Sequence, residues 1–177
     1  EFFTNFETLM AAYGYTMQLY FDFSGYTDIV IGLSLLLGFS VEYNFNKPFL
    51  AQNISDFWRR WHITLSTWLN EYIYYPLSLN FRRFRTIGVI IAVLITFIIS
   101  GLWHGPALSY VVWGALHGIA LAWDIFSAKF RKKLSALVNK KIYSFFSILI
   151  TFHFLVLSMV IFKTESISKS IFMLKKI

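Results

Sequence analysis

The feature that most constrains this chain is a long stretch without a charged residue, Thr86 to Trp103, with the sequence TIGVIIAVLITFIISGLW. Two further apolar runs extend from Ala107 to Trp123 and from Ile142 to Phe162. A helix needs about 20 mostly apolar residues to cross the roughly 30 Å hydrocarbon core of a bilayer. We therefore predict continuous membrane helices over most of 86–102, 107–126 and 142–162.

The composition agrees with this interpretation. Hydrophobic residues make up 57% of the chain and charged residues only 14%, whereas a soluble domain is about a quarter charged. The sequence predicts an all-α fold, a polytopic integral membrane helical bundle with an amphipathic or re-entrant helix, as a single membrane domain over 1–177. Because the chain begins at Glu1 and not at a methionine, we expect it to be the C-terminal part of a longer protein, with a processed mature chain as the alternative.

The N-terminal run from Thr8 to Val41 is also apolar, but as one straight helix it would be roughly 50 Å long. We therefore expect an interruption in FDFSGYTD, residues 21–28, where a glycine and two aspartates occur. Two shorter helices, or one bent helix with a polar elbow, fit the sequence equally well.

Between Asn53 and Tyr75 the apolar residues recur at alternating spacings of about four and three, which is typical of an amphipathic helix. They are Ile54, Trp58, Trp61, Leu65, Trp68, Tyr72 and Tyr75. A second stripe carries Ser55, Arg59, His62 and Ser66. We predict a helix over about 55–70, ended by Pro76, with Asp56 paired to Arg60, in an interfacial or shallow re-entrant position.

The basic residues form short clusters between the apolar runs, and such clusters usually fix membrane topology and do not form a nucleic-acid surface. RRFR at 82–85 precedes the first clear span, and KFRKK at 129–133 follows the second. We predict that both clusters lie on the cytoplasmic side and that the turn GLWHGP, residues 101–106, lies at or towards the opposite face.

Four histidines are the candidates for chemistry: His62, His104, His117 and His153. No two of them have the spacing of a helical metal-ligand pair, and the chain contains no cysteine, so we predict no metal site. His104 follows an uncharged span and is a functional candidate, with a hydrated histidine in an interfacial loop as the alternative. His62 is a candidate base that the neighbouring Arg59 would keep neutral, or a surface histidine on the wet side of its helix.

For the other two histidines we favour structural roles. His117 lies between Gly114 and Gly118, a GxxxG pattern that lets another helix approach closely. A packing histidine with one interhelical hydrogen bond is expected there, and a similar structural role is expected for His153. The pair Arg59 and Arg60 could hold an anionic donor, although arginines at membrane interfaces more often bind lipid headgroups.

Four segments resemble consecutive motifs of the membrane-bound O-acyltransferases, in particular the alginate O-acetylase-like branch. They are YFDFSGYTDIVIG (20–32), FNKPFLAQNISDFWRRWHITLSTWLNEYIYYPL (45–77), FIISGLWHGPALSYVVWGALHGIAL (97–121) and TFHFLVLSMVIFK (151–163). The combination of FWRRWH with a later GLWHG is the specific part. The resemblance covers the C-terminal half of the family, and it places the two characteristic histidines on His62 and His104, with His104 in the catalytic position.

The resemblance implies transfer of an acyl group, with acetyl as the expected one, from a thioester-type donor to a hydroxyl of an exported polysaccharide. It implies catalytic roles for His104 and His62 and substrate contacts from Arg59, Arg60, Trp61 and Trp103. We expect both imidazoles to face one polar cavity enclosed by Trp61, Trp103 and the first turn after Pro106. They should lie within about 10 to 15 Å of each other, because a base must lie within roughly 3 Å of the acceptor oxygen.

The thioester donor would be a co-substrate, and no bound cofactor is expected. The implied partners are membrane lipids, a hydroxyl acceptor and an acyl-carrier or periplasmic protein, with no nucleic acid. The implied location is the cell membrane, as a multi-pass protein of the bacterial inner membrane. The alternatives are a transporter or channel fragment, which would explain the interrupted first helix and the intramembrane polar residues, and a non-catalytic membrane scaffold.

Overall fold

The structure, a computed structural model, describes residues 3–177 and is helical, with no β-strand in that range. Eight α-helices follow one another along the chain. They are α1 (Asn5–Leu36), α2 (Ile54–Trp58), α3 (Ile63–Leu69), α4 (Tyr75–Asn80), α5 (Arg85–His104), α6 (Leu108–Leu137), α7 (Lys140–Thr164) and α8 (Ile167–Lys176). The predicted all-α membrane fold is confirmed.

Three of these helices, α5, α6 and α7, are long and apolar enough to cross a membrane. They contain the three predicted spans, which are confirmed. α6 continues beyond the predicted end at 126 as far as Leu137, so the basic cluster at 129–133 lies on the helix and not in a loop. Helical backbone can extend past the hydrocarbon core because each internal N–H and C=O group remains paired within the helix.

α5 and α6 form an antiparallel hairpin with a very short connection, Gly105 to Ala107. A side chain at Gly114 would collide with the backbone carbonyl of Phe97, and one at Gly118 would crowd Leu94. The close helix approach predicted from the GxxxG pattern is therefore confirmed. The hairpin brings both basic clusters to the end opposite His104, which is the arrangement that the predicted topology requires.

The N-terminal run forms one continuous helix, α1, so the predicted division into two helices at 21–28 is wrong. Thr4 begins the helix with a capping box, in which its hydroxyl accepts from the Glu7 N–H and the Glu7 carboxylate accepts from the Thr4 N–H. A glycine inside a helix costs only about 1 kcal/mol relative to alanine. Asp22 and Asp28 are exposed, so neither carboxylate is forced into an apolar contact that would end the helix.

The predicted continuous helix over 55–70 is also wrong. α2 ends at Trp58 and α3 begins at Ile63, and in the intervening turn His62 has a φ angle of 44°. A residue in the left-handed region cannot continue a right-handed helix. The predicted pair between Asp56 and Arg60 is present, with 2.9 Å between Oδ1 and Nε.

Pro76 does not end this region, contrary to the prediction. A π-turn from Asn70 to Tyr74 joins α3 to α4, and Pro76 lies in the first turn of α4. The N–H of Tyr75 reaches the carbonyl of Asn70, five residues back. The π-turn shifts the hydrogen-bond register, so Pro76 lies in the first turn of a new helix. Backbone N–H groups in a first turn have no acceptor within the helix, and the N–H that proline lacks is therefore not needed there.

α2 is buried in the helix bundle. Phe57 is 0% exposed, and the ring centroids of Trp58 lie 5.0 Å from Phe97 on α5 and 5.9 Å from Trp113 on α6. Leu155 of α7 belongs to the same core. This burial inserts the segment that carries His62 between the spanning helices.

A buried carboxylate, Asp124 of α6, connects α2 to the hairpin through a hydrogen bond. Its Oδ2 accepts a hydrogen bond of 2.8 Å from the backbone N–H of Ser55, in the first turn of α2. Arg131 pairs with its Oδ1 and also donates to its backbone carbonyl at 2.8 Å. The Asp124 side chain is only 7% exposed, so the ion pair and the hydrogen bond compensate for removing the charge from water.

Replacing Asp124 with alanine should destabilise the fold by about 3 kcal/mol, because it leaves Arg131 and the Ser55 N–H without their partner. The measurement is the thermal unfolding midpoint of the purified protein in detergent. Asp28→Ala, which removes an exposed carboxylate from α1, is the matched control and should unfold like the wild type. Equal midpoints for the two variants would contradict the role assigned to Asp124.

Candidate active site

His62 is held at the start of α3 by the turn that separates it from α2. Its ring makes an edge contact with Phe23 of α1, with 4.7 Å between the ring centroids. Nδ1 lies 3.2 Å from the side-chain oxygen of Asn44. One ring nitrogen is therefore occupied, and the other is available to a ligand.

His104 is the last residue of α5, and the helix ends there because Gly105 has a φ angle of 151°. The predicted turn over 101–106 is therefore mostly helical. Aromatic rings surround the imidazole, with centroids 5.0 Å away for Trp103, 5.3 Å for Trp113 and 5.0 Å for Phe162. No residue within 3–177 makes a side-chain hydrogen bond to His104, so both of its nitrogens are available.

Both histidines line one cavity of about 70 Å³ between α1, the α2–α3 segment and the spanning helices. The ring of Trp103 lies 6.4 Å from that of His62 and 5.0 Å from that of His104. The two imidazole centroids are therefore no further apart than the sum of these distances, which agrees with the predicted limit of about 10 to 15 Å.

The cavity is aromatic and not polar, which corrects the prediction. Besides the two imidazoles, it is lined by Leu19, Phe23, Trp58, Trp61, Leu65, Trp113, Met159 and Phe162. Its wall on α6 is Trp113 and not the first turn after Pro106, and Trp103, which was predicted to enclose it, is not among the lining residues. Apolar walls exclude water, which strengthens any hydrogen bond or charge interaction made by the imidazoles.

Burial lowers the pKa of His62 below its ordinary value. The predicted cause, repulsion by Arg59, is wrong, because the Arg59 side chain is 73% exposed and lies 3.8 Å from the Asp56 carboxylate. Burial in an apolar pocket disfavours the charged imidazolium. The predicted outcome, a neutral ring that can accept a proton, therefore has desolvation as its cause.

A second and larger cavity of about 630 Å³ adjoins the first. Trp58 lines both cavities, so its indole stands between them. The larger cavity is bordered by α2, α3, the π-turn and the hairpin, and its polar lining includes Ser66, Thr67, Asn70 and Thr96. The site thus consists of a small chamber with the two histidines and a larger chamber behind Trp58.

The four residues predicted to contact substrate are placed differently. Arg59 borders the larger cavity, whereas Arg60 pairs with Asp56 and donates to the Asn46 carbonyl. Trp61 is buried and lines the small cavity, and Trp103, 61% exposed, lies beside both imidazoles. No group of three or more His, Asp or Glu side chains within 3–177 is arranged to hold a metal ion.

His117 occupies the interhelical packing position that was predicted. It is fully buried, accepts a hydrogen bond from the Trp58 indole N–H at 3.3 Å on Nδ1, and has Nε2 3.1 Å from Ser158 Oγ. Because an indole N–H only donates, Nδ1 is the acceptor and Nε2 carries the proton. Both ring nitrogens are used, which leaves none for a substrate.

His153 differs from the expected interhelical arrangement. It is exposed on α7, and its Nδ1 lies 2.7 Å from the carbonyl oxygen of Leu149 in the same helix. Its other contact is an edge-on approach of Tyr13 from α1, at 5.7 Å between centroids. It does not line the cavity of His62 and His104.

Replacing His117 with asparagine should lower the thermal unfolding midpoint yet leave the activity within about tenfold, because an amide can keep one of the two hydrogen bonds. His117→Leu should be less stable still, since the buried Trp58 N–H then loses its acceptor at a cost of about 1–3 kcal/mol. The measurements are thermal unfolding and acyl transfer per unit of folded protein. A loss of activity in His117→Asn as large as that in a His104 variant would contradict the structural role.

Several residues of the site were not singled out from the sequence. Trp113 and Phe162 form the wall around His104, and Asn44 contacts His62. These residues form no sequence motif with the histidines, because each reaches the site from a different element. The aromatic richness of α6 and α7 was visible in the sequence, but it is equally typical of lipid-facing helices.

Three helices long and apolar enough to cross a membrane, with a segment that brings His62 into one cavity with His104, define a polytopic membrane protein with a half-buried pair of imidazoles. Residues 2–163 match the model of the MBOAT, membrane-bound O-acyltransferase family. The chain belongs to this family.

Named relatives agree with this assignment. The chain is 42% identical over 160 residues to the probable alginate O-acetylase of Pseudomonas syringae pv. tomato, covering 89% of this chain and 29% of that protein. It is 36% identical over 159 residues to the teichoic acid D-alanyltransferase of Bacillus subtilis, covering 87% and 40%. It is 48% identical over 101 residues to the peptidoglycan O-acetyltransferase of Helicobacter pylori, covering 57% and 19%. The chain thus spans well under half the length of these relatives.

Proposed function

We propose that this chain carries the histidine site of a membrane O-acyltransferase that moves an acyl group, most simply acetyl, from a thioester donor to a hydroxyl of a cell-envelope polysaccharide. The observation that carries the proposal is the pairing of His62 and His104 in one aromatic cavity. Both rings keep at least one nitrogen free, whereas His117 has none. Availability of a nitrogen is what separates a candidate base from a packing residue.

In the proposed reaction a neutral imidazole, that of His104, takes the proton of the acceptor hydroxyl as the oxygen attacks the thioester carbonyl. The tetrahedral intermediate then collapses, the new C–O ester bond remains, and the C–S bond breaks. The departing thiolate receives the proton from the imidazolium, which restores the neutral base. No acyl-enzyme is required, which is consistent with a chain that has no cysteine.

Trp113 offers a hydrogen-bond donor for the negative charge that develops on the carbonyl oxygen. Its indole N–H is buried and has no hydrogen-bond partner among residues 3–177, and its ring centroid lies 5.3 Å from that of His104. A preorganised hydrogen-bond donor that is shielded from water stabilises an oxyanion more than water does. We assign this role to Trp113 as part of the proposal.

The two chambers suggest separate places for the two substrates. The larger cavity is bordered by Val93 and Ile125, which lie closer than His104 to the basic ends of α5 and α6. We propose that the donor thioester occupies this chamber, with Arg59 near its anionic portion, and that the acceptor reaches His104 from the opposite face. Arg60 is left out of the donor site, because it does not line this cavity and its Nε lies 2.9 Å from the Asp56 carboxylate.

The names of the relatives guide the choice of acceptor. The three names describe acyl transfer to alginate, to peptidoglycan and to teichoic acid. We therefore propose an exported envelope polysaccharide as acceptor, a location in the bacterial inner membrane, and cooperation with an acyl-carrier or periplasmic protein. Membrane lipids surround the three spanning helices.

The test is deletion and complementation of the complete gene in its own host. Ester-linked acyl groups on the envelope polysaccharides are released with mild alkali and measured by mass spectrometry. The proposal expects a specific acyl group to disappear on deletion and to return with the gene. If ester content is unchanged while uptake or efflux of a solute is lost, the transporter alternative is correct.

A further inference from the structure

Asn44 contacts three consecutive residues at the turn that carries His62. Its backbone carbonyl accepts from the Ile63 N–H at 3.0 Å. Its side-chain oxygen lies 2.8 Å from the Thr64 hydroxyl, 3.3 Å from the Thr64 N–H and 3.2 Å from Nδ1 of His62. The residue therefore both shapes the turn and touches the imidazole.

The hydrogen bonds at Asn44 determine which ring nitrogen of His62 carries the proton. A backbone N–H can only donate, so the Asn44 atom that faces Thr64 must be the amide oxygen and not the amide nitrogen. This oxygen can only accept. The Nδ1 atom of His62 must then be the donor, which leaves the lone pair on Nε2 of the neutral ring.

We propose that Asn44 is a positioning residue for acyl transfer, which fixes His62 as the Nδ1–H tautomer with a basic Nε2 turned to the cavity. The inference rests on the proposed function of the histidine pair and adds the residue that orients His62. Outer partners of this kind keep an imidazole in one tautomer and one rotamer, and their loss costs about 10- to 100-fold in activity where it has been measured. Without Asn44 the ring is free to rotate and to exchange tautomers.

The charges around His62 make the inference testable by pH. His104 is the titratable group that shares the cavity, and α1, α6 and α7 present Phe23, Trp113 and Phe162 to it. Arg59 and Arg60 are both paired with Asp56. A carboxylate at position 44 would therefore be the dominant charge next to Nδ1.

The experiment uses membranes that contain the protein from its complete gene, acetyl-coenzyme A as thioester donor and alkali-stripped envelope polysaccharide of the host as acceptor. Asn44→Leu should lose about 10- to 100-fold in initial rate. Asn44→Asp keeps an acceptor for Thr64 and for Nδ1, so it should be active at alkaline pH. The new carboxylate favours the imidazolium of His62 and should raise its pKa. Because Nε2 of His62 offers a lone pair only while the ring is neutral, the acidic fall in rate should move to higher pH.

Asn46→Asp is the matched control, because Asn46 is exposed and its side chain makes no hydrogen bond with any residue of 3–177. It should keep the wild-type pH profile. If Asn44→Leu retains the wild-type rate, or if Asn44→Asp leaves the acidic limb in place while His62→Ala is inactive, the inference is wrong. If the wild type itself transfers no acetyl group to any envelope fraction, the proposed function fails first.

Discussion

Replacing His104 with alanine is expected to abolish acyl transfer while the protein still inserts in the membrane. A positioned acid–base group contributes about 10² to 10⁴ in rate, and His104 is the histidine whose two nitrogens have no hydrogen-bond partner among residues 3–177. The cavity that it shares with His62 is lined by no carboxylate or hydroxyl from the described part of the chain, so no such group of the chamber could take over as base. The measurement is ester-linked acyl content in cells that carry the complete gene, normalised to the amount of protein in the membrane fraction.

Two further variants separate chemistry from packing. His104→Gln refills much of the space within the ring of Trp103, Trp113 and Phe162 without a base, and it should be as inactive as alanine. His153→Ala removes an imidazole from the exposed side of α7 and should retain wild-type activity. Substantial activity in His104→Gln would show that the ring fills space and does not accept a proton.

The spanning helices could be predicted because their signal is local. An uncharged stretch such as Thr86 to Trp103 must keep its backbone groups paired within itself in a bilayer, and a helix is the means to do so. The close packing of α6 on α5 was equally visible, since Gly114 and Gly118 leave no side chain between the helices. In both cases the sequence pattern and the physical constraint involve the same few residues.

The shape of the site could not be predicted in this way. The aromatic stripe from Ile54 to Tyr75 has the period of one helix, yet the chain turns at His62 because Asn44 binds that turn from outside the stripe and α2 buries Trp58 in the bundle. These are tertiary interactions. They override the helical preference of the segment, and the spacing of its apolar residues does not reveal them. The continuous α1 is the opposite case, in which Gly25 and two exposed aspartates look like an interruption but cost the helix little.

The aromatic character of the cavity also depends on residues that are remote in sequence. Phe23, Trp113 and Phe162 come from α1, α6 and α7, and each also fits a lipid-facing position when it is considered alone. The identification of His62 and His104 as a pair came from resemblance to a family. The structure adds the geometric reason why these two, and not His117, are free to act.

His62, unlike His104, has two possible roles, one in the backbone conformation of a turn and one in acyl transfer. Its φ angle of 44° lies in the left-handed region, which a non-glycine residue adopts at a cost. The residue could matter for the turn between α2 and α3, for proton transfer, or for both. An alanine substitution alone would not distinguish the roles, since it removes the imidazole and leaves the backbone cost in place.

Comparing His62→Ala with His62→Gly distinguishes them. Glycine adopts the left-handed conformation freely, so His62→Gly should keep the turn at least as well as alanine and should unfold at an equal or higher temperature. Both variants lack the imidazole, and both should lose acyl transfer by about 10²-fold, the scale of a positioned acid–base group. The measurements are initial rates in membranes and thermal unfolding in detergent on the same preparations. If His62→Gly recovers near-wild-type rates while His62→Ala does not, His62 serves the turn alone, and His104 must act without a second histidine.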